Sequence, residues 1–351
     1  MNKDRVKGRS APCSKLESPL GGGKSGRSPP IHGDDEASRD IEYLFEKRRY
    51  DGSRDRKYLV HLPPAYRSGG PKLPVVMLLH GCDQDHNEIR HVADFDRLAD
   101  RHAAIAVYPF VTSYDAPRMS NCWAFWSRRH NRAGAGEVED LWQIFCDVRK
   151  RFGADENRLH VAGLSSGGSM AVALLINRCD KIASGAEIAG LAYGDHPPAF
   201  GLMPHRQQPL ERIVDAMEQQ LGDRKRRTPL LIVHSTGDRI VNVSAALKVQ
   251  ESWARSFAIE TSRPSWSKSG TTKGTAWVHR GYQYEDGADA LETLLLDHSE
   301  HGWYGGRDGK HGYADAPDVS ETIWRFFEAN ALDSKSSGNG LFSRALTQQV
   351  G

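Results

Sequence analysis

The stretch Arg158-Leu-His-Val-Ala-Gly163-Leu-Ser165-Ser166-Gly167-Gly168-Ser-Met-Ala-Val-Ala-Leu-Leu175 decides the fold. It predicts a short apolar strand, a turn of the form Gly-x-Ser-x-Gly, and a helix of small and apolar residues. A strand-to-helix turn this tight forces Ser165 into a strained backbone conformation with its hydroxyl projecting. Glycines at 163 and 167 remove Cβ atoms that would collide with neighbouring strands. The amide of Ser166, at the helix start, then faces the place where a negative oxygen would form. The five-residue pattern alone recurs by chance in a Gly- and Ser-rich chain; its strand and helix flanks give it meaning.

Outward from this turn, strands and helices alternate. Strands are expected at Lys57–Leu62, Pro74–His80, Ala104–Tyr108, Arg158–Gly163, Ser184–Ala189, Leu230–His234 and Thr293–Leu296. Val75-Val-Met-Leu-Leu79 and Leu230-Leu-Ile-Val233 are continuous apolar runs, the pattern of parallel strands buried on both faces. Helices are expected at Glu137–Phe152, Ser166–Arg178, Ala245–Phe257 and Glu321–Ala331; in the first of these Val138, Leu141, Phe145, Val148 and Phe152 form one stripe. The alternation predicts a mostly parallel, doubly wound α/β sheet in a single domain, residues 53–331, with a small insertion around 195–228. Residues 1–52 read as a polar disordered leader and 332–351 as a polar tail. Within the leader, Gly21-Gly-Gly-Lys24-Ser25 lacks the first glycine and the preceding strand of a phosphate-binding loop, and is rejected as one.

Composition narrows the classes. With 47 Lys and Arg against 45 Asp and Glu, the net charge of +2 leaves no footprint for nucleic acid. No apolar run reaches the roughly eighteen residues of a membrane helix. The N-terminus carries charge without an apolar stretch behind it, so no secretory signal is read and a cytoplasmic location is expected, with secretion as the alternative. Five scattered cysteines do not make a disulfide scaffold.

A serine hydroxyl needs a base to take its proton and a carboxylate to hold that base. On a parallel sheet these groups come from loops at the carboxyl ends of strands, in the order Ser, acid, His. After the strand at 230, Gly237-Asp238 supplies the acid candidate. After the strand at 293, Asp297-His298-Ser-Glu-His301-Gly302-Trp303-Tyr-Gly-Gly306 supplies two histidines. His301, among glycines, sits where a base can reach the serine; His298 at the strand end reads as structural. A metal reading of Asp297, His298, Glu300 and His301 lacks partner ligands at recognisable spacing, so no metal and no cofactor is expected. Gly81 after the strand at 75 lets the Cys82 amide turn toward the cleft as a second oxyanion donor, beside Ser166.

Taken in order, His80-Gly-Cys82-x-Gln84, Asn121-Cys122-Trp123, Gly163-Leu-Ser165-Ser-Gly-Gly168, Ala189-Gly-Leu-Ala-Tyr193-Gly194, Gly237-Asp238-x-x-Val241 and His301-Gly-Trp303-x-Gly-Gly306 resemble the esterase family of poly(3-hydroxybutyrate) depolymerases, feruloyl esterases and acetylxylan esterases. The resemblance spans about residues 54–330. It implies an α/β-hydrolase fold, Ser165 as nucleophile, Asp238 as acid, His301 as base, and Cys82 and Ser166 at the oxyanion hole. It also brings the loop with Trp123, Phe125 and Trp126 toward the active site, so that Trp123 and Trp303 become candidates for holding substrate; core packing is the competing reading of this cluster. The chain departs from the family in showing no signal, in having only a short tail after the catalytic domain, and in a polar insertion at Thr261–Thr275. The first two departures favour a small-molecule or oligomeric soluble ester over a solid polymer. A serine esterase acting through an acyl-enzyme is therefore expected, against an acyltransferase with the same triad or a silent binding protein; no feature addresses the oligomeric state.

Cys82 and Cys122 both follow early strands of the parallel sheet, which brings their loops together. Geometry favours a bond between them, whereas a reducing cytosol opposes it. Cys146 reads as a buried small hydrophobe rather than a reactive thiol.

Overall fold

The computed structural model describes residues 39–111, 118, 120–196 and 208–332. Its centre is one ten-stranded sheet. In chain order the strands are β1 (Asp40–Phe45), β2 (Arg56–His61), β3 (Val75–Leu79), β4 (Ile105–Pro109), β5 (Leu159–Leu164), β6 (Ser184–Ile188), β7 (Leu230–Ser235), β8 (Trp266–Thr272), β9 (Thr275–Gln283) and β10 (Asp289–Leu296). Their spatial order is β1-β2-β4-β3-β5-β6-β7-β10-β9-β8. The six from β4 to β10 in that order are parallel, and antiparallel ribbons close each side. β3, β5, β6 and β7 are buried throughout, which is why Val75–Leu79 and Leu230–Val233 read as unbroken apolar runs.

Helices cover both faces. On one side α3 (Gly136–Phe152), α4 (Ser166–Asn177), α5 (Leu210–Leu221) and α6 (Ser244–Phe257) enclose a core with Met77, Val161 and Ile232. On the other, α1 (His86–Ala93), α2 (Phe95–His102) and α7 (Val319–Ala329) pack on Leu78, Ile188 and Val233. A short parallel pair, β11 (Trp303–Tyr304) and β12 (Gly312–Tyr313), links the segment after β10 to the front of α7. No helix among the described residues is long and apolar enough to cross a membrane.

Three boundaries differ from expectation. The leader does not extend to 52: Asp40–Phe45 pairs with β2, and its alternating exposure, typical of an edge strand, hid it among polar residues. The segment around 195–228 is not an insertion over its whole described length. Residues 210–221 form α5, whose Ile213, Met217 and Leu221 enter the core as the β6-to-β7 crossover. The polar stretch at 261–275 holds β8, paired with β9 as a hairpin at the far edge. The leader to residue 38, the tail from 333 and residues 197–207 of the insertion lie outside the described residues.

Candidate active site

Ser165 stands between β5 and α4 with φ 56° and ψ −118°, a left-side conformation that few side chains adopt. The turn is possible because of its glycines. A Cβ on Gly163 would lie 2.3 Å from the Gly167 carbonyl oxygen, and one on Gly167 would lie 2.3 Å from the Leu79 oxygen of β3. The Ser165 amide donates to Ile188 of β6 at 2.7 Å, which fixes the turn against the neighbouring strand.

The expected acid and the expected base meet across two later strand ends. His301 Nδ1 is 2.6 Å from Asp238 Oδ2. The other Asp238 oxygen accepts the amides of Ile240 at 2.8 Å and Val241 at 2.9 Å. Burial pushes the Asp238 carboxyl up, but the bond to His301, its charge and the two amides together hold it below the usual range. A carboxylate at Nδ1 fixes the neutral tautomer with its lone pair on Nε2, free to accept a proton. His298 takes a different place: its ring packs between Tyr304 and Tyr313, and its Nδ1 accepts the Glu300 amide at 3.2 Å. His234 lies behind the acid, 3.8 Å from Asp238, with Nε2 bonded to the Val241 carbonyl at 2.8 Å; burial lowers its pKa.

The turn after β3 is pinned at several points. The Gly81 amide donates to Gln84 Oε1 at 2.9 Å, while Gln84 Nε2 donates to the Lys310 carbonyl at 2.6 Å. His80 is fully buried, its pKa lowered to about 4 mainly by burial, so the ring is neutral; its Nδ1 meets the Gly81 carbonyl at 2.8 Å. Cys82 is disulfide-bonded to Cys122, with Cα atoms 4.2 Å apart. The two loops thus lie within bonding distance, as their places after early parallel strands predict. Cys146 is also disulfide-bonded, not the free small hydrophobe expected. Cys82 and Ser166 both border the cavity that Ser165 faces, and no hydrogen bond engages their amides among the described residues.

That cavity, about 590 Å³, is also lined by His301. Its walls are mainly apolar: Phe125, Trp126, Leu164, Leu191, Ile240 and Val241. Arg118, Asp83, His196 and His311 add polar groups. The two expected substrate-binding tryptophans do not line it. Trp123 is wholly buried, its indole N–H donating to the His80 carbonyl at 3.1 Å, so it supports the turn from behind. Trp303, also wholly buried, donates to Ser320 Oγ at 2.9 Å and faces α7. The aromatic surface belongs instead to Phe125 and Trp126, the other members of the cluster read from the sequence. Gln84 was visible only as a motif position, and His311, ten residues past the base, gave no signal.

One group of possible metal ligands occurs among the described residues, Asp40, His61 and Asp96. Arg90 already bonds both carboxylates, so the group reads as an ion-pair cluster, and none of the three lines the cavity. The 297–301 stretch does not converge, since His301 turns to Asp238 and His298 to the tyrosines.

Residues 56–261 match the family described as esterase PHB depolymerase. Feruloyl esterase B of Neurospora crassa is 25% identical over 205 residues, 55% of this chain and 68% of that protein. Poly(3-hydroxyalkanoate) depolymerase C of Paucimonas lemoignei is 28% identical over 134 residues, 38% of this chain and 31% of that protein. The fold is similar to that of an acetyl xylan esterase from Aspergillus awamori, with a TM-score of 0.61 and 15% identity, over 82% of this chain and 99% of the other. The chain belongs to the esterase PHB depolymerase family and is a serine carboxylic ester hydrolase on the α/β-hydrolase fold.

Proposed function

We propose that this family member hydrolyses soluble carboxylic esters through Ser165, His301 and Asp238. His301 Nε2 takes the Ser165 proton as Oγ attacks the ester carbonyl carbon. The resulting oxyanion accepts hydrogen bonds from the Cys82 and Ser166 amides. His301 then gives its proton to the departing alcohol, leaving an acyl-Ser165, and water repeats the sequence to release the acid. The observation carrying this reading is the Asp238–His301 pair at 2.6 Å opening onto the cavity that the elbow serine faces. The apolar walls suit a short acyl or aryl-acyl group, in line with feruloyl, acetyl or 3-hydroxybutyrate-oligomer esters. The Cys82–Cys122 bond favours an oxidising compartment over the cytoplasm.

Ser165→Ala tests the reading. Turnover of p-nitrophenyl butyrate should fall by roughly 10⁴-fold or more, with an unchanged circular dichroism spectrum. A variant keeping a tenth of the activity would remove Ser165 from the mechanism.

A further inference from the structure

In the proposed reaction the histidine that deprotonates the serine also protonates the leaving alkoxide, so the alcohol half of the ester must lie against His301. The His311 ring borders the same cavity, its centroid 6.1 Å from that of His301 and nearly perpendicular to it. Its backbone is held in place: φ is +59°, and its carbonyl accepts the Trp303 amide at 2.8 Å. A Cβ on Gly302 would come 2.4 Å from that carbonyl oxygen, so glycine there is a condition of His311's position. The preceding residue ties this loop to the oxyanion turn. The Lys310 carbonyl accepts Gln84 Nε2, and Lys310 Nζ donates to the Asp83 carbonyl. Asp83 also borders the cavity, and it too has φ +59°. Two non-glycine residues in the left-handed region, at one corner of a mainly apolar cavity that Arg118 and His196 also line, are the kind of strain that gathers at ligand sites.

We propose that His311, with Asp83 on the neighbouring loop, forms a leaving-group subsite that selects esters of alcohols carrying a further free hydroxyl. Burial and the charge of nearby His301 lower the His311 pKa, outweighing a hydrogen bond from the ring to the His301 backbone, which keeps the ring neutral and leaves its other nitrogen to accept a hydrogen bond. The Asp83 carboxylate accepts as well. Acceptors at this corner favour hydroxyl donors, while Phe125, Trp126 and Leu191 leave the acyl half an apolar surface.

The inference rests on the Ser165–His301 reading, and the two fail differently in test. 1-Monobutyrin and propyl butyrate share an acid and a three-carbon alcohol, differing in two hydroxyls. The ratio of their kcat/KM values should be about 10 in the wild type, since one hydrogen bond is worth up to about tenfold. His311→Gly, which tolerates the left-handed backbone, should lower that ratio about tenfold whatever both esters lose in common. His311→Asn, also at ease with positive φ, should restore part of it. A wild-type ratio near 1, or a ratio unmoved by His311→Gly, overturns the subsite. Turnover of both esters surviving Ser165→Ala would instead overturn the catalytic reading.

Discussion

Asp238 spends one oxygen on His301 and the other on two backbone amides, so its carboxylate is both ionised and immobile. His301 therefore has one direction to face, and His298, only three residues away, has none of this support. His301→Ala is expected to cost as much turnover as the serine change, whereas His298→Ala should cost less than about tenfold; steady-state kinetics on one aryl ester compares them directly. The double variant Ser165→Ala/His301→Ala should be no worse than either single change if the two work as a unit. The tryptophans divide similarly. Trp126→Ala removes cavity wall and should raise KM. Trp123→Phe removes the bond to the His80 carbonyl, and should instead lower stability by about 1–3 kcal/mol in denaturant titration while leaving KM nearly unchanged.

At the level of elements, the segment between β1 and β2 is fastened to the start of α3 by buried charge. Arg56 is fully buried, 3.0 Å from Asp140 and 3.8 Å from Glu137. Tyr50 and Ser53 also donate to Asp140, at 2.6 and 2.7 Å. Burial pushes the Glu137 carboxyl up, but Arg56, Arg118 and His130 outweigh it and hold it ionised. Arg56→Ala would strand these carboxylates and is expected to destabilise the fold by about 3–5 kcal/mol, measured by chemical denaturation. None of this network was legible in the sequence, because its members lie up to some ninety residues apart and read singly as surface charges. The central strands were legible for the opposite reason: burial on both faces leaves no polar residue to interrupt Val75–Leu79 or Leu230–Val233. β1 and β8 escaped because edge strands alternate or are simply polar, as Trp-Ser-Lys-Ser-Gly-Thr-Thr shows. α1 and α2, eight residues each and dense in charge, offered no long stripe. For the site, the elbow, the Gly-Asp turn and the histidine loop were local motifs and could be read as candidates. Which aromatic rings face the cavity depends on how loops turn after their strands, and adjacency in the chain misled for Trp123 and Trp303.

Across the whole molecule, buried ionisable groups set the response to pH. Glu187 on β6 is fully buried, its only described bond coming from the Gly190 amide, and burial raises its pKa to about 8. A folded pKa above the unfolded one favours the protonated native state, so this contribution is whole below about pH 4.5 and is lost as pH rises toward 8. His80 and His160 work in the other direction. Burial lowers their pKa values to about 4 and about 3, so their contribution is present above about pH 6.5 and is lost as pH falls toward those values. Glu187→Gln should flatten the upper slope, gaining a few kcal/mol at pH 8 relative to pH 5 when compared with the wild type; equal slopes in the two proteins would mean that Glu187 is not buried uncharged. A last consequence concerns the Cys82–Cys122 bond, which closes a separation of 40 residues and borders the cavity itself. A chain newly made in a reducing environment already has its serine, histidine and aspartate, but lacks the covalent strut beneath its oxyanion turn. Cys122→Ser, which removes this bond and leaves that of Cys146 in place, should lower stability by about 3–4 kcal/mol, and its kcat on an aryl ester should fall under conditions where the fold persists. The triad alone would then leave the enzyme idling, and full rate would wait on the joining of the Cys82 and Cys122 sulfur atoms.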